Sequence, residues 1–312
     1  MAKKLLRRLR GSSACLAAVT FAVVLSGCGT TEDPVTDDGA DTEEVVNIGV
    51  VLSSPGLASG SDPVETSGAE IALGRAVAAE LDTIEPEAQV RWVPISAAND
   101  TIAAIQNGEL EFMLGQLSES QLTDQLGWVG PYATAKSALL IRQAADETEN
   151  AITTIEPLES ITSAAELVEA PVCVVANSAA ASVELPIENV TVQQTVSECE
   201  VGMRSGRFDA IAADDMQLAG VMLDPNLAAT YELLSWSDIA AEEDLEVADE
   251  LLEAHQYWIG TDPAHCDALT EALRTVVTQG ALVEAFAEWE EATGFNPDIA
   301  TASQITTKHC PS

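Results

Sequence analysis

The spacing of apolar residues changes repeatedly between the two-residue period of a strand and the longer period of a helix. Residues 46–50 alternate apolar with small or polar side chains, which predicts an opening strand, and apolar residues then recur at helical spacing over 68–81. The same patterns predict strands at 90–95 and 110–114, a helix at about 100–106, and two closing helices at 264–279 and 282–292. Strands that alternate with helices in this way are typical of α/β layers with parallel sheets.

A unit of helix, glycine and strand occurs twice along the chain. Residues 107–113 and 205–211 each place a glycine, Gly108 or Gly206, after a predicted helix, and an acidic residue three positions later leads into an apolar strand. Glycine suits this position because helices often end on a left-handed residue, which carries little strain without a side chain. The repeat predicts two similar lobes.

The connections between the predicted lobes divide the body of the chain. An apolar strand over 132–142 is the candidate first crossing, and residues near 257–260 are the candidate return crossing. We therefore predict a first lobe built from 45–137 and 259–312, with a second lobe formed by 138–258.

The first residues carry the pattern of an export signal. Five basic residues occur before residue 11, an uncharged stretch follows over 11–25, and no acidic residue precedes Glu32. The apolar run is shorter than the roughly 20 residues of a transmembrane helix, which favours a cleaved signal peptide over a permanent anchor. It ends in Leu-Ser-Gly-Cys at 25–28, which resembles the bacterial lipobox, whose cysteine is acylated and becomes the mature N-terminus. We predict a signal peptide over 1–27 and a lipid anchor such as palmitate on Cys28, at the extracellular face of the cell membrane.

The net charge of the chain excludes one class of binding partner. There are 13 Lys and Arg against 51 Asp and Glu, and the formal net charge of −38 repels phosphate backbones, which excludes nucleic acid as a partner. Residues 29–44 hold seven acidic residues, four threonines and no aromatic residue, a composition that does not order itself, so we predict an acidic flexible tether over 28–44. Hydrophobic residues make up 47% of the whole chain, so most of the protein folds.

Six cysteines are present, of which Cys15 lies in the signal segment and Cys28 in the tetrad. The other four are Cys173, Cys199, Cys266 and Cys310. An even number outside the cytosol favours disulfides, with three connectivities open. The alternative is a zinc site made from the His-Cys pairs at 265–266 and 309–310, but adjacent residues lack the usual spacer between ligands, and we expect no metal.

Polar residues that directly follow predicted strands form the candidate ligand site, because ligands of open α/β sheets bind beyond the carboxyl ends of the strands. These residues are Ser53, Gln116, Ser118, Ser120, Asn177, Ser178 and Asp214. Asn177 and Ser178 open a predicted helix over 179–185 whose N–H groups suit a carboxylate, although both are equally ordinary helix caps. Asp214 follows an apolar strand and suits a cation, against the alternative of a further cap.

Motifs of common enzyme classes are missing from the sequence. It contains no Gly-x-Ser-x-Gly elbow, no phosphate-binding Gly-x-x-x-x-Gly-Lys loop, no Gly-x-Gly-x-x-Gly and no His-Glu-x-x-His. The three histidines, at 255, 265 and 309, fall in the last fifth of the chain, and we expect them to be surface or capping residues. We expect neither an enzyme nor a bound cofactor.

Several segments between residues 46 and 294 resemble family 3 of the extracellular solute-binding proteins, the polar amino-acid receptors of ATP-binding cassette (ABC) importers. These segments are 68–71, 102–115, 130–132 with 138–142, 172–175, 205–220 and 269–289. The resemblance implies a two-lobed periplasmic-binding-protein-like fold of type II, in which each lobe is a mainly parallel sheet flanked by helices and two hinge crossings allow closure on a ligand.

The resemblance also implies roles for individual residues. In the family, the strand end that carries Asp214 holds a ligand ammonium, the turn at Asn177 and Ser178 meets a carboxylate, and hydroxyls matching Ser118 and Ser120 contribute from the first lobe. The cysteines at 173 and 199 look like those of the actinobacterial glutamate-binding lipoproteins, where they bridge the second lobe. We predict disulfides Cys173–Cys199 and Cys266–Cys310.

Two departures from the family pattern concern the ligand. The family's carboxylate-binding arginine should fall near Leu122 or Thr123, yet no basic residue lies between Arg91 and Lys136. An aromatic residue near 53–57 is missing as well. The sequence therefore predicts a ligand that is an amine or a polar neutral solute.

Two functions remain open from the sequence. The first is a monomeric, lipid-anchored receptor that delivers a small polar, amino-acid-like solute to the membrane subunits of an ABC importer. The alternative is a degenerate solute-binding fold that acts as a sensor or interaction module without transport.

Overall fold

The computed structural model describes residues 45–60, 65–85, 88–95, 98–117, 122–142, 161, 163–176, 178–243 and 245–311. The described residues form one compact unit. The predicted signal peptide, the tether and Cys28 lie outside the described residues, as do three predicted site residues, Ser118, Ser120 and Asn177. Within the described ranges, no helix is long and apolar enough to cross a bilayer.

Strands and helices alternate along the chain as the periodicity predicts. The first part contains β1 (Val45–Val50), β2 (Ser53–Ser54), β3 (Ala58–Ser59), α1 (Ala69–Ala79), β4 (Gln89–Pro94), α2 (Ala98–Gln106), β5 (Phe112–Leu117) and β6 (Gly127–Arg142). The middle part contains α3 (Ala164–Glu169), β7 (Pro171–Val175), β8 (Asn189–Gln193), α4 (Val196–Arg204), β9 (Ala210–Asp214), α5 (Asp215–Val221), α6 (Pro225–Ala228), β10 (Tyr231–Ser235), α7 (Trp236–Glu243) and α8 (Asp249–Leu252). The last part contains β11 (Ala254–Thr261), α9 (Cys266–Gln279), α10 (Ala281–Thr293), β12 (Asp298–Ile299) and β13 (Thr306–Lys308).

Each lobe is built on one mixed sheet. In the first lobe, β1 lies between β4 and β5 and is parallel to both, and β11 and β6 follow as antiparallel strands. In the second lobe, β7 lies parallel between β8 and β9, while β9 and β10 pair antiparallel with β6. Helices flank these sheets, and the predicted two-lobed α/β fold is confirmed. The antiparallel pairs of the two sheets involve the crossing strand β6 or its neighbour β11.

The first crossing is a single continuous strand, β6. Its residues 127–136 pair with β11 in the first sheet, and residues 137–142 pair with β9 or β10 in the second. The return crossing lies earlier than predicted, because β11 is paired within the first sheet from Ala254 onward. Tyr257 and Trp258 therefore belong to the first lobe and not to the second. The apolar pattern of this segment predicts a strand correctly, but it carries no information on which sheet the strand joins.

The repeated unit has the same geometry in both lobes. Gly108 after α2 and Gly206 after α4 have φ angles of 72° and 74°. Their N–H groups donate to Ile105 O and Met203 O at 3.0 and 3.1 Å, which closes each helix in the same way. The strands that follow are β5 and β9. Two glycines in the left-handed region allow both helices to end abruptly before a buried strand.

Arg142, at the end of β6, stabilises the turn between α4 and β9. It is 6% exposed, and its Nη1 lies 2.9 Å from Asp209 Oδ1. Its Nη2 donates to the carbonyl oxygens of Met203 and Phe208. A planar guanidinium suits this task because it offers several fixed donors to one turn.

The core of the first lobe extends into the second. Met216 and Ala219 of α5 pack in the same apolar cluster as Leu57 of the first lobe and Trp289 of α10. The lobes also meet where Gly220 faces Pro55, since a Cβ on Gly220 would lie 1.8 Å from the Pro55 carbonyl oxygen. The two lobes therefore contact each other directly at α5.

Both predicted cysteine pairings are present. The Cys173–Cys199 disulfide joins β7 to α4 within the second lobe, with Cα atoms 5.6 Å apart. The Cys266–Cys310 disulfide joins the start of α9 to the segment after β13, with Cα atoms 6.0 Å apart. The second bond uses both thiols that the zinc alternative required.

Candidate functional site

A cavity of about 50 Å³ lies between the two lobes, near the crossing strand. From the first lobe it is lined by Val51, Ser54, Leu57, Glu70, Gly115 and Tyr257. From the second lobe it is lined by Val175, Ala176, Gln194, Thr195, Val196 and Gln217. These residues come from strand ends and helix starts in both lobes, which is where ligands of α/β sheets bind.

Glu70 is the buried acid at this cavity. It is the second residue of α1 and is only 2% exposed. Its position is fixed by its backbone N–H, which donates to Leu57 O at 2.9 Å, and its side chain accepts a hydrogen bond from the hydroxyl of Tyr132. Burial raises the pKa of Glu70 to about 7, against an opposing effect of the Tyr132 hydrogen bond.

A second pair of acid and phenol lies beside the first and joins the lobes. The hydroxyl of Tyr257, on β11 of the first lobe, donates to Asp214 Oδ2, at the end of β9 in the second lobe, over 2.6 Å. Both residues are 1% exposed. The rings of Tyr257 and Tyr132 meet edge to face with centroids 5.7 Å apart. Two carboxyl groups and two phenols thus form one buried group, which we call the acid–tyrosine group: Glu70, Tyr132, Asp214 and Tyr257.

The phenols of the acid–tyrosine group stay protonated. Burial raises the pKa of Tyr132 and of Tyr257 well above 10, and the neighbouring carboxylates raise both further. At neutral pH each phenol is therefore a hydrogen-bond donor to its carboxylate, and its oxygen is an acceptor.

The helix terminus that faces the cavity is already capped. Thr195 precedes α4, and its side chain accepts from the Glu198 N–H, while Glu198 Oε2 accepts from the N–H groups of Gln194 and Thr195 at 2.9 and 3.3 Å. This capping box satisfies the N–H groups of Gln194, Thr195 and Glu198 and places a carboxylate at the helix start. The terminus is thus poorly suited to a ligand carboxylate.

Neither a lysine nor an arginine lies among the described residues that line the cavity. The lining includes buried acceptors. Gln217 Oε1 is buried and has no hydrogen-bond partner within the described part of the chain. The arrangement suits a ligand that donates hydrogen bonds.

Asp215, next to Asp214, stabilises the junction of the lobes. Its Oδ1 accepts from the N–H groups of Met216 at 2.7 Å and of Lys136 in β6 at 3.1 Å. Burial raises its pKa to about 6, although these hydrogen bonds and the Lys136 charge oppose that effect.

The structure brings only some of the predicted site residues to the cavity. Asp214 lies directly behind Tyr257, and its side chain makes no cap to α5. Gln116 lies in β5 opposite Tyr257, and Ser53 lies in β2 beside the lining residue Ser54, but the side chains of Gln116 and Ser53 are outside the described set.

Ser178 does not line the cavity. Its N–H and its hydroxyl both donate to Val175 O, at 3.2 and 2.7 Å. The predicted helix over 179–185 is wrong, because the structure forms a single 3-10 turn at Ala179–Ala181. Such a short turn has little helix dipole to offer a carboxylate.

The expectation that the histidines are surface or capping residues is wrong for His255. It lies at the start of β11 and is 8% exposed, and its Nε2 is 3.1 Å from Ser137 Oγ in the crossing strand β6. Burial lowers its pKa, against the effect of the Glu253 charge. His265 is half exposed, as expected.

Sequence reasoning missed Glu70, Tyr257 and Gln217 as site residues. Glu70 could have been found from its position, because it lies between apolar residues at the start of an amphipathic helix. The buried face of such a helix usually carries leucine or valine, so an acid there is unusual. Tyr257 was assigned to the return crossing, which hid its place in the first sheet. Gln217 gives no signal in the sequence.

Comparison of the sequence with protein-family models and with curated proteins finds no match. Comparison of the structure finds similar solved structures. One is an ABC uptake transporter substrate-binding protein from Streptococcus pneumoniae with bound histidine, at 15% identity and a TM-score of 0.57, covering 82% of this chain and 94% of that one. Another is a cysteine-binding protein from Campylobacter jejuni, at 15% identity and a TM-score of 0.58, covering 84% and 94%.

A third similar structure is the ancestral amino-acid-binding protein AncCDT-1, described as a precursor of cyclohexadienyl dehydratase. It is 16% identical, with a TM-score of 0.54, and covers 78% of this chain and 95% of that one. At identities this low, the comparisons establish that the chain has the two-lobed fold of these binding proteins.

Proposed function

We propose that this protein is a receptor that captures a small polar, amino-acid-like solute between its two lobes and delivers it to an ABC importer. The observation that carries the proposal is the cavity. Both lobes line it at their strand ends, beside the continuous crossing strand β6. Two connections between the lobes permit hinge closure around a ligand. Two solved structures of the same fold support this role, since one is a substrate-binding protein with bound histidine and the other is a cysteine-binding protein.

The lining of the cavity supports an amine or polar neutral solute over an acidic one. Glu70 lines the cavity and Asp214 is buried behind Tyr257, no basic side chain lies in the described lining, and the start of α4 is capped by Glu198. A carboxylate ligand would lack a charged donor, which normally supplies the stronger hydrogen bonds to such groups. Common α-amino acids are therefore expected to bind weakly.

The membrane attachment in this proposal is supported by the sequence. The basic leader, the apolar run and the tetrad at 25–28 agree on export and acylation of Cys28. An acidic tether would then hold a monomeric body at the extracellular face, within reach of importer subunits.

A thermal-shift screen of the purified protein against a library of small polar metabolites tests this proposal. A true solute raises Tm, and the rise grows with the logarithm of the solute concentration above its Kd. Small-angle scattering of the protein with and without that solute should show compaction on binding. A solute that raises Tm but leaves the radius of gyration unchanged at saturation contradicts closure of the lobes.

One observation favours the alternative, a sensor or interaction module without transport. The cavity is small, with room for roughly three to five water molecules, and apolar residues of α5 already join the core of the first lobe. If no metabolite shifts Tm while a protein partner binds the purified chain, the alternative holds and the transport role fails.

A further inference from the structure

We propose that the cavity takes a small organic cation and that the carboxylate of Glu70 is the group that selects it. This inference rests on the proposed function, because it names the charge of the solute that the same cavity would hold.

Among the described residues of the lining, the cavity presents buried acceptors to a ligand and no charged donor. Glu70 lines the cavity at 2% exposure, with one hydrogen bond from the Tyr132 hydroxyl. Tyr257 also lines it, but its hydroxyl proton is directed to Asp214, 2.6 Å away. Gln217 Oε1 is buried at the cavity with no partner in the described part of the chain. An ammonium group offers three donors and no acceptor, so it matches this lining.

Charge favours the same ligand. A buried carboxylate is costly unless it is paired, and the described lining contains no basic residue to pair with Glu70. A ligand anion would add negative charge next to Glu70 and Asp214, whereas a cation would offset it. The small volume of about 50 Å³ suits a short ammonium end and not a bulky head group.

The titration of Glu70 adds a test. The titratable groups that face it are Tyr132 on β6 and Tyr257 on β11, with Asp214 of β9 behind Tyr257. Both phenols are protonated at neutral pH, whereas burial raises the pKa of Glu70 to about 7. A cation binds the ionised carboxylate, so its affinity should rise with pH up to about 7 and then level off.

Isothermal calorimetry on the full purified chain at pH 8 tests the inference with four probes of nearly equal size. Ethanolamine is a cation, glycine a zwitterion, glycolate an anion and ethylene glycol neutral. We expect ethanolamine to bind most tightly and glycolate least. We expect Glu70→Gln to weaken ethanolamine binding about 10- to 100-fold, the loss of a hydrogen-bonded charge partner. Glu80→Gln, an exposed acid at the other end of α1, is the matched control and should change nothing.

The ranking of the probes on the unaltered protein keeps the test valid if Glu70→Gln fails to fold. The inference is overturned if glycolate or ethylene glycol binds as tightly as ethanolamine, if ethanolamine does not bind, or if a folded Glu70→Gln variant retains full affinity. In each case the receptor role still stands when the metabolite screen finds another solute. It falls only when that screen finds none.

Discussion

Replacing Glu70 with Gln should stabilise the protein at neutral and alkaline pH, although it weakens ligand binding. In the folded protein, burial raises the pKa of Glu70 from 4.5 to about 7, which corresponds to about 3 kcal/mol. The amide can still accept the hydrogen bond from Tyr132, which is buried beside it. The variant therefore removes the cost of a buried charge and keeps the shape of the side chain.

The sign of the pH dependence follows from where the proton is bound. Between pH 4.5 and about 7, the folded protein keeps the Glu70 proton while the unfolded chain has lost it, so the free energy of unfolding falls as pH rises. Below pH 4.5 both states are protonated and the cost vanishes. Above pH 7 both are ionised and the cost stays constant at about 3 kcal/mol.

Urea unfolding of the wild type and Glu70→Gln at several values between pH 4 and pH 8 measures this cost. The stability difference in favour of the variant should grow by about 3 kcal/mol across that range, or about 6 °C in Tm. Asp215, with a pKa of about 6, and His255, with a lowered pKa, titrate in both proteins and cancel in the difference.

Glu80→Gln, at the exposed C-cap of the same helix, should differ from wild type by a constant amount within about 0.5 kcal/mol. A difference between Glu70→Gln and wild type that stays constant or shrinks from pH 4 to pH 8 would refute the reasoning, because it would mean that Glu70 is not held in a desolvated position.

Three further predictions follow from the structure and the sequence. Gly220→Ala places a Cβ 1.8 Å from the backbone oxygen of Pro55, so the lobes must move apart at this contact and Tm should fall, because α5 residues packed in the first-lobe core are uncovered; a wild-type Tm would contradict this. Serine at both Cys266 and Cys310 should lower the free energy of unfolding by about 4 kcal/mol, the chain-entropy effect of a 44-residue loop, and a loss under 1 kcal/mol in urea would argue against it. Cys28→Ala should release the protein from the membrane fraction or leave it as precursor, and a processed chain that stays membrane-bound would disprove acylation.

Local patterns of the sequence predict much of the fold. The alternation over 46–50 gave β1, the helical spacing over 68–81 gave α1, and the closing helices α9 and α10 lie within two residues of their predicted bounds. The repeated glycines, Gly108 and Gly206, predicted the two similar lobes because a left-handed helix end is a local requirement. Periodicity reports which face of an element is buried, and that is enough to place elements in order.

The candidate site depended on contacts that no local pattern contains. Glu70 and Tyr132 are 62 positions apart in the chain, and Asp214 and Tyr257 are 43 apart. The sequence identified Asp214 from its strand end, yet it also offered Ser178, which the structure turns toward Val175.

The sequence by itself determined the order of strands and helices, the two-lobed class and the absence of a basic residue between Arg91 and Lys136. Only the tertiary structure decided that β11 joins the first sheet and that Glu70 is buried at the cavity. The physical reason is that periodicity depends on neighbours within a turn or a pleat, whereas strand pairing and the desolvation of a carboxyl group depend on which distant segments pack around it.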